Sequence, residues 1–410
     1  MNARFDRSRF HIGAYYLAPY ARTRRHMEDV RACGMDFIVN MQYDRAALDL
    51  MDEYGLSAIV SGAVPGWIGC DGRNAGMMAQ LNPLSLYDQA ASRFADHPAI
   101  CGIDAGDEPS CLDFAHYGRV IERINALFPH QFAYLNLFPS YGFLGKGTAE
   151  QIRSQLGCDS YAHYIGEYVR HVPTDYICLD YYVYSASVCG FYHTLRTASD
   201  ACAQTGRDLF TVLQVNSHQA DVYLNENQLR YQAYSALAFG ARTVIWACYT
   251  AGWWYHQVLD AQGEKTPQYE KLRRVNGELR ALGDVCMHYR RTDTHFIGAF
   301  TPDDLSGVGK AAVPALDTAR FYGVHAENGE RLLAGQMEAL SRDGSEALLL
   351  CAADDPSGSA PHAFRVLFSS SCTDVQALGD GRPLPVERLA DGLYAVSITS
   401  CHAILLQAHP

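Results

Sequence analysis

The stretch GIDAGDEPS (102–110) ends an apolar run in three acids, Asp104, Asp107 and Glu108. Carboxylates at the end of a buried strand are costly unless they are paired or used. Pro109 stops the run and disfavours helical geometry at Glu108, which fixes that carboxyl where the strand ends. A carboxyl so placed suits general acid–base work, with Glu108 as the proton donor. The plainer role is helix capping ahead of CLDFAHYGRVIERI, and Ser110 is expected to take part of it. Asp180, in LDYY (179–182), offers a second carboxyl as nucleophile or base, and Tyr182 lies two residues on and so on the same face of a strand. Asp107 has two readings of equal weight, a direct part in the chemistry or a structural partner for tyrosine or backbone donors.

The ends of the other apolar runs carry Tyr16, Asn40, Gln42, Asn136, Gln214, Asn216, Trp246, Tyr249 and Trp253, and Trp67 follows the third run. Neutral hydrogen-bonding groups mixed with aromatic rings suit an uncharged, hydroxyl-rich ligand. A phosphorylated ligand would call for Arg, Lys or a glycine-rich turn, which these ends lack. SGVGKAA (306–312) has neither the Ser/Thr nor the spacing of a phosphate loop. Among the weaker candidates, His218 lies past the seventh run, where a lone His is more often simply satisfied. Trp253 and Trp254 are adjacent and divide evenly between stacking on a ligand and packing.

Eight apolar runs must position these groups: 11–17, 36–43, 56–63, 99–106, 131–138, 175–182, 208–215 and 241–249. Amphipathic helical patterns separate them, among them TRRHMEDVRACG and ENQLRYQAYSALAFG. Near-continuous apolar strands alternating with helices predict a parallel sheet covered by helices. Eight such units fit a closed (β/α)8 TIM barrel, in which active residues gather at the C-terminal strand ends. An open doubly wound sheet is the alternative, but AYYLAPYAR after the first run is no phosphate-binding turn. After about residue 290 the helical pattern fades. EALLLCAAD, AFRVLFSS, GLYAVSIT and HAILLQA, separated by turn signals such as DGRP, predict a C-terminal antiparallel β-sandwich domain. The expected division is therefore a barrel over 1–290 and a β-sandwich over 291–410.

Composition narrows the function classes. The net charge is −12 with no long basic run, which argues against nucleic-acid and anionic-membrane partners. No run of apolar residues is long enough to span a bilayer, and the charged N-terminus lacks an apolar signal core, so a cytoplasmic location is expected. The 13 cysteines are scattered without a CxxC pair, which predicts reduced, mostly buried thiols. No His/Cys/Asp cluster has metal spacing, no cofactor motif appears, and no G-x-S-x-G elbow offers a serine nucleophile. A homo-oligomer is compatible with all of this.

GDEP at the fourth run resembles the Asn-Glu-Pro and Asp-Glu-Pro motifs of clan A glycoside hydrolases, where the Glu is the general acid/base. LDYYVY resembles the aromatic sixth strand of that clan. TVIWACYTAGWW followed by LDAQGEKTPQYEKL resembles β-galactosidase-like members. The resemblance spans most of residues 10–290 and implies a glycosidase for a β-galactoside-like substrate or an N-acetylhexosaminide, with an oligosaccharide or simple glycoside as its ligand. The expected cytoplasmic location favours small imported oligosaccharides and so exo action. The resemblance departs from the clan at one place. Retaining members carry a nucleophilic Glu at the end of the seventh strand, and here that position is Gln214. The change is engineered, or marks an inactive descendant that only binds carbohydrate, or leaves the second catalytic role to another group. That group is Asp180 or the substrate itself. The Asp107–Glu108 pair also resembles substrate-assisted β-N-acetylgalactosaminidases, in which Asp107 would orient a 2-acetamido group. Retention, inversion and substrate assistance all stay open at this point.

Overall fold

The computed structural model describes residues 5–62, 74–91, 97–140, 155–250, 252–357 and 361–410. Trp67 lies outside the described residues. Each of the eight apolar runs forms a strand: β1 (His11–Tyr15), β2 (Phe37–Gln42), β3 (Ser57–Ser61), β4 (Ile100–Asp107), β5 (Phe132–Leu137), β6 (Tyr176–Asp180), β7 (Asp208–Gln214) and β8 (Ala241–Ala247). They close in sequence order into a parallel barrel, with β8 pairing back onto β1 through Trp246 opposite Ala14. The principal helices are α1 (Arg24–Ala32), α2 (Arg45–Glu53), α3 (Leu84–Ala91), α4 (Phe114–Leu127), α5 (Tyr161–His171), α6 (Val188–Thr205), α7 (Glu226–Ala238) and α8 (Pro267–Cys286), one after each strand. Their starts are built from short polar side chains that satisfy the first free N–H groups. Asp44 accepts from the Ala47 N–H, Ser160 from His163 and Ser187 from Gly190, while Asn225 and Gln228 form a reciprocal capping box.

By packing, the chain falls into two compact units, residues 1–223 with 243–270, and residues 224–242 with 271–410. In the second unit, a four-stranded antiparallel sheet and a six-stranded one share a core that includes Phe321, Val324, Leu348, Val366, Val396 and Leu406. The first strand of the six-stranded sheet in chain order, β9, is Tyr289–Ile297. None of the helices among the described residues is long and apolar enough to cross a membrane.

The barrel interior is layered. At the N-terminal end it is aromatic: Phe5 stacks on His11 with ring centroids 4.3 Å apart, and Tyr176 stacks on Phe210 at 4.7 Å. Phe37 fills the space beside Gly13, where any Cβ would collide with its ring. Gly13→Ala is therefore expected to destabilise the fold by about 1–3 kcal/mol, the usual cost of overpacking a filled core. A denaturant titration that leaves the midpoint unchanged would refute this. Further up, Tyr15, Tyr134 and Cys178 occupy the interior. Polar side chains take over above them.

Candidate active site

Strand parity decides which side chains reach the lumen. On β5 the inward column is Tyr134, then Asn136. On β6 it is Tyr176, Cys178, then Asp180, and on β7 it is Phe210, Val212, then Gln214. On β4 a register irregularity between Asp104 and Gly106 shifts the alternation, and Asp107 comes to pair with Asn136.

Asn136 is the hub. Its Nδ2 donates to Asp107 Oδ1 and to Asp180 Oδ1, each at 2.9 Å. Its backbone carbonyl accepts the Glu108 N–H at 2.9 Å, and its Oδ1 accepts the Cys178 thiol at 3.4 Å. Cys178 in turn meets the Tyr134 hydroxyl, which bonds to that of Tyr15 at 2.8 Å. The Asn136 side chain thus touches two of the residues expected to be catalytic and its backbone carbonyl the third, and a buried polar chain fixes which end of the amide faces the acids.

Burial pushes these carboxyls up. Asp180 is 3% exposed, and burial followed by the charge of Asp107 raises its pKa to about 7. Asp104 reaches about 7 for the same two reasons, although the N–H of Gly106 bonds to it. Asp107 is raised by burial, against the pull of the Asn136 bond. At neutral pH the cluster therefore holds protons that free aspartates would have lost.

Glu108 is buried and has φ = +48°. Pro109 favours extended backbone before it, yet the residue sits in the left-handed region. For a non-glycine residue that costs roughly 1 kcal/mol or more. The strand ends here as expected, but by this turn. The Tyr164 hydroxyl donates to the Pro109 carbonyl at 2.7 Å, which anchors the turn, and Tyr164 lies close enough to feel the Glu108 charge. Ser110 caps the turn that follows by accepting from the Leu112 N–H.

Aromatic rings line the approach. Tyr182 is half-buried beside the lumen, and its phenol is pushed well up by burial and then by Asp180. Its ring lies 6.1 Å from that of Trp253 and 5.2 Å from that of Trp254, and Trp253 reaches inward to within 6.3 Å of Tyr15. Tyr16 is half-buried against the same cluster. Asn40 sits half-buried at a β-bulge with φ = +56°, and Gln42 is exposed at the end of β2.

Four of the residues expected to contact a ligand are fully buried. Trp246 is fully buried and, between the inward Ile245 and Ala247, faces the helices rather than the lumen. Tyr249 is fully buried and packs near Tyr269 and Asp29 on the helix side. Asn216 is fully buried and donates to the Trp253 carbonyl, so it supports the aromatic loop from behind. Gln214 points inward but is fully buried beneath the turn after β6. Its Oε1 accepts from the Tyr184 N–H, and its Nε2 donates to Ser185 Oγ and the Asn216 carbonyl.

The Gln214 position is thus matched to an amide. A glutamate there would set a buried carboxylate oxygen against a carbonyl. Gln214→Glu is expected to cost about 2–4 kcal/mol of stability and to confer no new activity. A variant that is equally stable and more active would show instead a nucleophile site with its acid missing. Sequence reasoning named Asp104 among the acids without giving it a role, and missed the inner pair Tyr134–Cys178 and Asn136 as the link between acids. Strand parity on β5 and β6 carried a signal for the last two.

No family model matches the sequence, and none of the curated proteins matches it. Solved structures do. A cycloisomaltooligosaccharide glucanotransferase from Paenibacillus sp., complexed with cycloisomaltoheptaose, aligns with 98% of this chain and 85% of its own at TM-score 0.59 and 8% identity. A protein described as a glycoside hydrolase aligns with 98% of this chain and 92% of its own at TM-score 0.56 and 11% identity. At such identities the likeness is one of fold: a TIM barrel followed by antiparallel β-sheets.

Proposed function

We propose that the protein is a glycoside hydrolase acting on a neutral β-linked sugar, a galactoside-like substrate or an N-acetylhexosaminide. Glu108 is the general acid/base, and the Asp107–Asp180 pair supplies the second catalytic role. The reading is carried by one observation: two carboxyls from different strands, both raised in pKa, hydrogen-bonded to one amide beside Glu108. Two bonds of 2.9 Å from one nitrogen hold the accepting oxygens within about 6 Å of each other. In the double displacement this reading adopts, Asp180 attacks the anomeric carbon while Glu108 protonates the departing oxygen. Water, deprotonated by Glu108, then releases the sugar.

A second reading is favoured by the adjacency of Asp107 and Glu108 and by the structural use of Gln214. Here the substrate's 2-acetamido oxygen attacks the anomeric carbon, Asp107 orients the acetamido N–H, and Glu108 is again the acid. Neither reading needs an acid at the end of β7. The purely carbohydrate-binding alternative rested on Gln214, and the three hydrogen bonds of that amide give it an architectural reason to be there.

Nitrophenyl β-glycosides with 2-hydroxyl and 2-acetamido groups, assayed in parallel, test the proposal. Turnover of 2-hydroxyl sugars supports the Asp180 route, and turnover confined to 2-acetamido sugars supports substrate assistance. Retention at the anomeric carbon, read by NMR in the first product, is expected in both. Sugar binding without cleavage of any glycoside overturns the enzymatic reading.

A further inference from the structure

Residues 253–256, Trp-Trp-Tyr-His, run outward from the candidate site and hold an unusual backbone. Trp254 has φ = +69° and His256 has φ = +62°. Bulky side chains rarely adopt this region, and glycine would occupy it without strain. The strain persists because the surroundings fix it. Ser217 and Tyr255 exchange backbone hydrogen bonds of 2.9 and 2.8 Å, and Gln257 Nε2 donates to the Trp254 carbonyl at 2.8 Å. His256 Nε2 bonds to the Ala220 carbonyl at 2.8 Å.

The framework leaves large rings open to solvent. Trp253 is 38% exposed, Tyr255 51% and Tyr223 43%, and Tyr223 is stacked on His256 with centroids 3.6 Å apart. Apolar rings fixed outward in a strained segment mark a binding surface rather than a packing defect. The rings continue those around the acids, since Tyr182 contacts both Trp253 and Trp254, and Trp254 contacts His218 at 6.1 Å.

We infer that Tyr255 and Tyr223 form an outer subsite that binds a further sugar ring of an oligosaccharide whose terminal unit lies over Asp107 and Asp180. The occupant follows from the continuity of the strip with the proposed active site, on which this inference rests. It also follows from the surface itself, which offers flat amphipathic faces: the C–H face of a pyranose covers such a ring while its hydroxyls stay in water. The substrate is then a chain of at least two or three sugars.

Calorimetric titration with a neutral oligosaccharide series, from mono- to pentasaccharide of galactan, xylan, mannan and chitin type, tests this on the wild-type chain and on Tyr255→Ala and Tyr223→Ala. For at least one series, wild-type affinity is expected to rise roughly tenfold or more between the mono- and the trisaccharide. Both variants are expected to lose most of that rise while keeping the wild-type circular-dichroism spectrum. Affinity that does not depend on length in any series, or that the variants leave unchanged, overturns the outer subsite while leaving the glycosidase reading intact. Failure of every sugar to bind overturns both. A concentration-dependent dimer of the wild type that either variant abolishes in sedimentation assigns the rings to an interface between copies and likewise overturns the inference.

Discussion

Under the proposed mechanism, Glu108→Gln is expected to lower kcat at least a hundredfold on a glycoside with a poor leaving group and much less on the corresponding dinitrophenyl glycoside. Glutamine keeps the size and polarity of the side chain and pays the same backbone cost at φ = +48°, so the fold around Asn136 is retained. What is lost is a proton that can be transferred, and general acid catalysis is typically worth about 10²–10⁴-fold. An alkoxide leaving from the natural substrate needs that proton. Dinitrophenolate does not, and the first displacement survives with it. Azide, which attacks without needing a general base, is expected to restore part of the variant's turnover on the activated substrate. Equal losses on both substrates would mean that Glu108 serves folding or binding. Full activity on the natural glycoside would remove it from the mechanism.

Asp180→Asn carries two expected effects of opposite sign. As nucleophile or base Asp180 must be ionised, so wild-type kcat/KM rises with pH through about 7, where this carboxyl titrates. The asparagine variant loses that limb and at least two orders of magnitude in rate. Its stability moves the other way. The carboxyl titrates near 7 in the folded chain and near 3.8 in the unfolded one, so the folded state holds the proton more tightly. Below about pH 4 both states are protonated and burial of the acid carries no ionisation penalty. Between about pH 4 and 7 the unfolded chain ionises first and stability falls, and above 7 the loss is constant. An uncharged amide escapes this loss and still accepts from Asn136. The variant is therefore expected to be more stable than the wild type at pH 8, by on the order of a few kcal/mol, with the advantage vanishing near pH 4. Melting curves at the two pH values check it. A variant less stable at pH 8 would show that Asp180 is a structural anchor, and near-wild-type turnover would exclude it from the chemistry.

The strands were legible because a parallel barrel buries both faces of each one, leaving uninterrupted apolar runs such as LFTVLQV. The clustering of Asp107, Asn136 and Asp180 was legible as far as strand ends reveal it. What the strand ends concealed was facing. Trp246 and Tyr249 stand at the end of β8 as prominently as any candidate, but Trp246 lies between two inward residues and so turns to the helices. Alternation within IWA holds that information, whereas the richness of the segment in aromatic residues suggested the opposite. Gln214 was read against an expected acid, and its meaning lay in Tyr184, Ser185 and Asn216, partners brought to it by the turn after β6 and by β7 itself. No local pattern records such a meeting. The left-handed turn at Glu108 was hidden for the reverse reason: Pro109 signalled extended backbone, and the hydrogen bonds to Asn136 and Tyr164 overrode that preference.

The acids and their shared amide come from three consecutive strands, β4, β5 and β6, whereas Trp253, Trp254 and Tyr255 stand in one short loop after β8, across the barrel. On the proposed reading, the reacting groups and most of the outermost rings therefore stand on separate parts of the chain. On that reading, a change at the exposed Tyr255 leaves the carboxyl cluster in place, so that the outer rings can drift from one sugar to another while the proposed reacting groups stay fixed. The same separation makes that loop the natural place to begin a selection for new substrates.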